Sequence, residues 1–362
     1  MSVEPTPRLP PVGRGAGVSP PNRFEPVRIE DDLEQLSLDD DRISCRKIPT
    51  EFLPDDSRTV ITKNDSPDIS FRYSINAYRG CEHGCAYCYA RPYHEMLGMN
   101  AGLDFETKIL VKYDAASLLR RELCRPGWRG EAIAMSGVTD CYQPAEREFR
   151  ITRGLLEVML EAQQATTITT KNSLVLRDPD LLVPMAAAGL VQVNVSIATL
   201  DAELARDLEP RTATPEARLR AIRRMSEAGV PVSVLVAPII PGLTDYQIAE
   251  VMQSAADAGA VSAGYELLRL PRSVAAIFLD WLDTRRPDAR KKVENLIRAT
   301  RDGSLNDTAF GERMVGSGMY AESIRDTFVI FARKYRLDGA APELDTSRFR
   351  PPRNENGQMR LF

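Results

Sequence analysis

The stretch Tyr78-Arg79-Gly80-Cys81-Glu82-His83-Gly84-Cys85-Ala86-Tyr87-Cys88-Tyr89-Ala90-Arg91-Pro92 decides how the rest of this 362-residue chain is read. It gathers three of the six cysteines into eight positions, spaced C-x3-C-x2-C, with Gly80 and Gly84 beside or between them. Six cysteines are too few for a disulfide scaffold in a chain of this length, and clustered thiols in a reducing compartment point to metal. Iron-sulfur clusters prefer thiolate ligands, and a 4Fe-4S cluster with three protein ligands keeps one iron open to a substrate or cofactor. The glycines permit a tight loop whose backbone N–H groups can turn toward the sulfurs. Zinc held by the three thiols and His83 or His94, the two histidines of the chain, competes on ligand type. Structural zinc sites usually pair their cysteines in two short knuckles, so a single triple favours the cluster and leaves both histidines as local hydrogen-bonding groups. Disulfide exchange gives the third cysteine no role. Cys45, Cys124 and Cys141 are scattered and read as small buried hydrophobes.

Downstream of the loop, short β-rich runs alternate with helix-period runs, the signature of repeated βα units. The strand candidates are 108–112, 131–136, 166–170, 191–197, 231–237 and 261–268. Ile151, Leu155, Val158, Met159 and Ala162 fall on one helical face, so 145–163 is expected to be an amphipathic helix. Thr214 then Pro215 give an N-cap and an N1 proline for a second helix that ends at Gly229. Thr244 followed by Gln247 is a capping-box signature for a third. Residues 271–300 read as helical around Ile277, Trp281, Val293 and Ile297, and Phe328 to Phe331 mark one more helix. Six parallel strands with intervening helices imply an α/β architecture, an open or partial βα barrel. The segment 29–41, with Leu33, Leu36 and Leu38, fits either a short helix or an extended run.

The formal net charge of −4 excludes a bulk polycation, and 43% hydrophobic with 27% charged residues is an ordinary globular composition. The longest apolar run, near Val232 to Ile240, is interrupted by Ser233 and Pro238 and falls short of the roughly 20 residues a membrane helix needs. Seven prolines by position 26 and no apolar core exclude a secretory signal and predict a mobile arm, so a cytoplasmic location is expected. Charge is uneven: residues 1–70 hold 9 basic and 14 acidic side chains, residues 285–362 hold 16 and 11. The basic end is compatible with phosphate contacts, and a solvated helix face explains it as well. After Ala340 the chain turns Pro- and Arg-rich, which predicts an exposed tail. The expected divisions are a mobile arm and lead-in over 1–63, a core over 64–300, and a helical extension with tail over 301–362.

The cysteine spacing, with the aromatic Tyr87 before Cys88 and six βα units behind it, resembles the radical S-adenosylmethionine (SAM) superfamily. The wider stretch from Asn76 to Lys112 resembles the group related to spore photoproduct lyase, often described as DNA repair photolyase-like. The resemblance implies a partial (βα)6 barrel. It implies that Cys81, Cys85 and Cys88 hold a 4Fe-4S cluster whose open iron chelates SAM, and that reductive cleavage yields a 5′-deoxyadenosyl radical. It also implies cofactor contacts at the C-terminal ends of the strands. Thr139 and Asp140 follow the second strand, where the superfamily accepts the SAM ammonium, although the usual Gly-Gly-Glu is absent. Lys171 and Asn172 follow the third, where relatives offer a cation to the SAM carboxylate. Ser196 and Thr199 follow the fourth and resemble a ribose-contacting pair, and Arg211 is a candidate for a further carboxylate or phosphate contact. Each of these residues, taken alone, also reads as a surface or capping group.

Cys141 is a candidate hydrogen-atom donor, although the related lyases place theirs shortly before the matching aspartate, which favours a packing thiol. Tyr89 and Tyr142 are candidate radical-relay phenols, or packing and hydrogen-bonding groups. Gln358, Leu361 and Phe362 resemble the peptides that dock bacterial sliding clamps, a Leu-Phe pair anchoring in an apolar pocket. Expected partners are therefore nucleic acid, a sliding clamp, and a reductant such as flavodoxin or ferredoxin. Three functions compete: a radical SAM enzyme on a nucleic-acid lesion or base, one on a protein or small metabolite, and a non-catalytic metal-stabilised binding module.

Overall fold

The computed structural model describes residues 11–24, 47–306 and 309–353. The strands in chain order are β1 (Glu51–Pro54), β2 (Ile61–Lys63), β3 (Tyr73–Ile75), β4 (Tyr78–Arg79), β5 (Lys108–Val111), β6 (Ile133–Met135), β7 (Thr166–Thr170), β8 (Val191–Ser196), β9 (Val232–Ile239) and β10 (Ser262–Leu267). Seven form one sheet in the order β10-β9-β8-β7-β6-β3-β2, parallel throughout except for β2 against β3. Ile75 pairs with Met135, Met135 with Ile168 and Ile168 with Val193, so the buried aliphatic positions run in register across the sheet. β10 and β2 are the two ends of this row and do not pair, which makes the six parallel strands a partial barrel.

Five of the six expected strands take their places in this row; the first does not. Residues 108–111 lie in a small side sheet, β1-β5-β4, and the barrel's first strand is β3. Three residues are too few to show a period of two, whereas the aliphatic run of β5 shows β propensity wherever it is used. The consequence for the site is direct, because β3 leads through β4 straight into the cysteine loop.

The helices follow the sequence pattern with three local differences. The 145–163 helix is broken at Arg150, whose φ of 52° separates Glu146–Phe149 from Ile151–Ala162. Its stripe Leu155, Val158, Met159 and Ala162 is buried as expected. Helix Pro215–Glu227 is capped by Thr214, whose side chain accepts from the Ala217 N–H. The Thr244 capping box does not form: residues Asp245–Gln247 make a 3-10 turn, and the Thr244 hydroxyl accepts from Ile240 N at 2.9 Å. The 271–300 segment is two helices, Ser273–Arg285 and Arg290–Ala299, divided at Pro287, which has no N–H to continue the first. Helix Gly318–Lys334 buries Ala321, Ile324, Phe328 and Ala332. No helix among the described residues is long and apolar enough to cross a membrane.

Residues 11–24 and 344–353 are more anchored than their composition predicts. Of the expected mobile arm, residues 11–24 lie on the core, with Arg14 and Ala16 buried and Asn22 Nδ2 donating to the Glu95 and Met99 carbonyls at 2.9 and 3.0 Å. Composition sees only that this segment has little apolar surface; it cannot see the buried carboxylate, described below, that needs its N–H groups. Residues 344–353 run beneath the loops that precede β7 and β8. Asp345 N donates to Gly189 O and Arg350 N to Ala162 O, both at 2.8 Å. Between the open edges of the barrel passes the segment 311–314. Met314 O accepts from Leu267 N at 2.9 Å, and Arg313 Nε lies 2.6 Å from Asp68 Oδ2 in the β2–β3 connection. Cys45 and residues 358–362 lie outside the described residues.

Candidate active site

The cysteine loop crosses the C-terminal mouth of the barrel and is shaped by its glycines and by one buried arginine. Gly84 has φ +66°, and a Cβ there would stand 2.6 Å from Glu106 Oε2, so glycine is required both for the turn and for the close approach. Arg91 is fully buried and donates to the carbonyls of Gly84, Cys85, Ala101 and Gly102, and to Glu106 Oε1 at 2.5 Å. A planar guanidinium can satisfy that many acceptors at once, which an ammonium cannot. Gln143 closes the other side, accepting from Glu82 N at 2.8 Å and donating to Gly80 O at 3.2 Å.

The three thiols of this loop line one open-mouthed cleft of about 180 Å³. Cys81 and Cys85 are each 6% exposed. Burial raises all three thiols above their ordinary pKa, so a cation or metal must stabilise them as thiolates. That donor set fits an iron-sulfur cluster. Zinc fits it less well. Among the described residues no three Cys, His, Asp or Glu side chains gather as they would around one ion. Both histidines are engaged elsewhere: His94 Nε2 with Lys108 O at 3.0 Å, and His83 with Asp140 and Asn172 at 3.4 and 3.2 Å. Burial lowers the pKa of both, His94 to about 4, so each is neutral at pH 7.

Of the expected cofactor-binding residues, Thr139, Asp140, Lys171 and Ser196 line the cleft; Asn172, Thr199 and Arg211 do not. Asp140 accepts from Thr170 Oγ1, Tyr142 N and Lys171 N at 2.7 to 2.8 Å, and so ties the ends of β6 and β7 together. Lys171 Nζ donates to Ser196 Oγ at 2.8 Å and to Ala237 O at 3.0 Å, and lies 3.1 Å from Glu209 Oε1. Asn172 turns away to cap the next turn at Leu174 N, because consecutive residues at a strand end face opposite sides. Thr199 donates to Gln247 Oε1 at 2.6 Å, and Arg211 pairs with Glu82 at 2.9 Å. Arg211 therefore steadies the cysteine loop from outside the cleft.

Glu209 is the central residue that the sequence did not reveal. It is buried, accepts from the Tyr87 hydroxyl, and pairs with both Lys171 and Arg218. Burial pushes its carboxyl upward, but Arg218 and Lys171 outweigh this and hold it at about 2. Glu209 precedes a proline in a stretch without periodicity, and its partners are distant in sequence, so no local signal marked it. Arg91, Glu106 and Gln143 escaped notice for the same reason.

The candidate catalytic residues divide. Tyr89 lines the cleft, with its hydroxyl donating to Gly137 O at 2.6 Å and the Arg269 guanidinium 4.4 Å from its ring centre. Cys141 is buried in the main hydrophobic core and does not reach the cleft. Its neighbour Asp140 faces inward, which turns the thiol outward. Tyr142 is likewise behind the wall, donating to Asp178 Oδ2 at 3.1 Å.

Comparison with known proteins agrees with this architecture. A family model for the radical SAM superfamily matches residues 75–255. An uncharacterised protein of Mycobacterium tuberculosis (strain H37Rv) is 37% identical over 285 residues, 77% of this chain and 80% of its own. One from Methanocaldococcus jannaschii is 32% identical over 176 residues, 49% of this chain and 63% of its own. A spore photoproduct lyase variant solved with bound SAM and a dinucleoside spore photoproduct shares the fold with a TM-score of 0.56 at 18% identity, over 80% of this chain and 84% of its own. With three thiols on the loop that follows the first barrel strand and the family match running from that strand to residue 255, the chain belongs to the radical SAM superfamily.

Proposed function

We propose that this protein cleaves SAM reductively on a 4Fe-4S cluster held by Cys81, Cys85 and Cys88, and that the resulting 5′-deoxyadenosyl radical acts on a nucleic-acid lesion or base. The observation that carries this reading is that the three thiols, two of them buried, and the Lys171 ammonium share one cleft at the C-terminal end of the barrel. The cluster supplies one-electron chemistry; the chain supplies position and a dry site. Lys171, fixed by Ser196, Glu209 and the Ala237 carbonyl, offers a cation to the SAM carboxylate. Phe105, Val138, Leu235, Pro238 and Leu268 give the cleft an apolar lining that keeps water from a reactive radical. The shared fold with spore photoproduct lyase and the basic C-terminal portion support a nucleic-acid substrate. Residues 358–362 would dock a sliding clamp, and flavodoxin or ferredoxin would supply the electron in a reducing cytoplasm.

The test is anaerobic reconstitution with iron and sulfide, followed by dithionite and SAM, with 5′-deoxyadenosine as the readout. The native protein is expected to form it and Cys85→Ala to form none. Bound zinc without iron uptake or SAM cleavage would overturn the reading.

A further inference from the structure

We propose that Arg269, at the rim of the cleft, is a subsite for a phosphodiester group of the substrate. This rests on the nucleic-acid reading above and deepens it.

Hydrogen-bond accounting within the cleft singles out this residue. Lys171 is held by Ser196, Ala237 O and Glu209 and is assigned to the cofactor, and Asp140 is held by backbone and hydroxyl donors. Arg269 lines the same cleft, yet its Nε is buried without a hydrogen-bond partner among the described residues. The contact its guanidinium does make is with the face of Tyr89, 4.4 Å from the ring centre. Stacking on an aromatic face leaves the N–H edge of a guanidinium available, and that fork matches the oxygens of a phosphate. Arg269 is only partly buried, whereas two fully buried arginines near the cleft are engaged: Arg91 meets four carbonyls and a carboxylate, and Arg218 meets Glu209, Thr212 and two carbonyls. An arginine this committed to an unsatisfied position is explained by a ligand that completes it.

Two neighbours favour a nucleotide over a free carboxylate. Tyr93, 51% exposed, follows Tyr89 by four residues and offers an open aromatic face outside the cleft. Aromatic faces next to backbone-binding cations are how proteins hold unstacked nucleotides. Glu266 is exposed on the same rim, where its carboxylate can accept from a base amine or sugar hydroxyl and repels an unaccompanied anion.

The experiment is fluorescence anisotropy on the cluster-reconstituted protein, using a labelled DNA trinucleotide and the same trimer with uncharged methylphosphonate linkages. The native protein is expected to prefer the charged trimer roughly ten-fold at low salt, with a preference that fades as salt rises. Arg269→Gln is expected to remove that preference, and Arg269→Lys to keep part of it, with thermal melts confirming that both variants fold. Tyr93→Ala is expected to weaken both trimers equally, because a stacking face does not read charge. An unchanged preference in Arg269→Gln overturns the subsite, as does a rise in the Kd of SAM with trimer binding intact, which would assign the guanidinium to the cofactor carboxylate. SAM cleavage in the same preparations is read separately. Native protein that binds the trimer through Arg269 but forms no 5′-deoxyadenosine overturns the radical reading and leaves the subsite standing.

Discussion

Glu106 Oε1 receives a 2.5 Å hydrogen bond from Arg91 Nη2 at a place where neither side chain reaches solvent. The same carboxylate accepts from Gly15 N and Ala16 N at 3.0 and 2.9 Å, and Arg91 grips the Gly84 and Cys85 carbonyls at the second cysteine. One buried ion pair thus joins the N-terminal segment to the loop that carries the thiols.

Removing the charge on one side of that pair leaves the other buried and uncompensated. Glu106→Gln is expected to lower stability by about 3–5 kcal/mol, the usual cost of breaking a buried pair. Iron bound per chain after reconstitution is expected to fall with it, because the carbonyls that Arg91 organises set the spacing of the thiols. Urea unfolding and iron analysis check both. Full stability with normal iron loading would show that the pair is dispensable to the loop.

A subtler change separates the N-terminal segment from the core. A Cβ on residue 15 would stand 1.8 Å from Gly84 O, so Gly15→Ala forces the strand of chain around it to lift. The Glu106 carboxylate then loses two donors, at a cost of about 1–3 kcal/mol. Limited proteolysis is expected to cut the variant near the N-terminus many times faster than the native chain, and air to bleach the reconstituted cluster faster, while the barrel's circular dichroism is unchanged.

The sequence made the barrel and its candidate site legible to different depths. β7, β8, β9 and β10 announced themselves because each is long enough to show aliphatic or β-branched runs between turn signals, and the thiol spacing is a local pattern. β3 is three residues long and stayed hidden behind the stronger signal of β5. Lys171 and Asp140 were found because strand ends can be located from the strands. Glu209, Arg91 and Glu106 act through partners far along the chain, as with Lys171 and Arg218 meeting at Glu209, and such meetings leave no trace in local spacing. The same limit explains Cys141: its position at a strand end was readable, but the side to which it points depends on a turn in which Ser136 takes a φ of 75° and its hydroxyl accepts from Cys141 N.

The Glu209 carboxyl carries a definite pH signature. Its folded pKa of about 2 lies below the ordinary value of 4.5, so its contribution to stability is fully present above about pH 4.5 and is lost as pH falls through about 2. A shift of that size corresponds to about 3–3.5 kcal/mol. Native protein and Glu209→Gln should therefore differ most in urea midpoint at pH 7 and converge toward pH 2. A gap that stays constant with pH would mean that the carboxylate's charge is not what holds Lys171 and Arg218 together.

The two cysteines that follow different walls of the barrel make the last contrast. Cys85 faces the cleft and Cys141 the core, although each is almost fully buried. Cys85→Ala is expected to lose iron and 5′-deoxyadenosine formation together, with modest change in the apo protein's melt. Cys141→Ala removes one sulfur from a packed interior, costs about 1 kcal/mol as a small cavity, and is expected to keep SAM cleavage within about two-fold of the native rate. Iron analysis, thermal melts and product assay on the same pair of variants decide the matter. Loss of product formation in Cys141→Ala at normal iron content and normal melting would return that thiol to the chemistry, and would require the turn at Ser136 to open during the reaction.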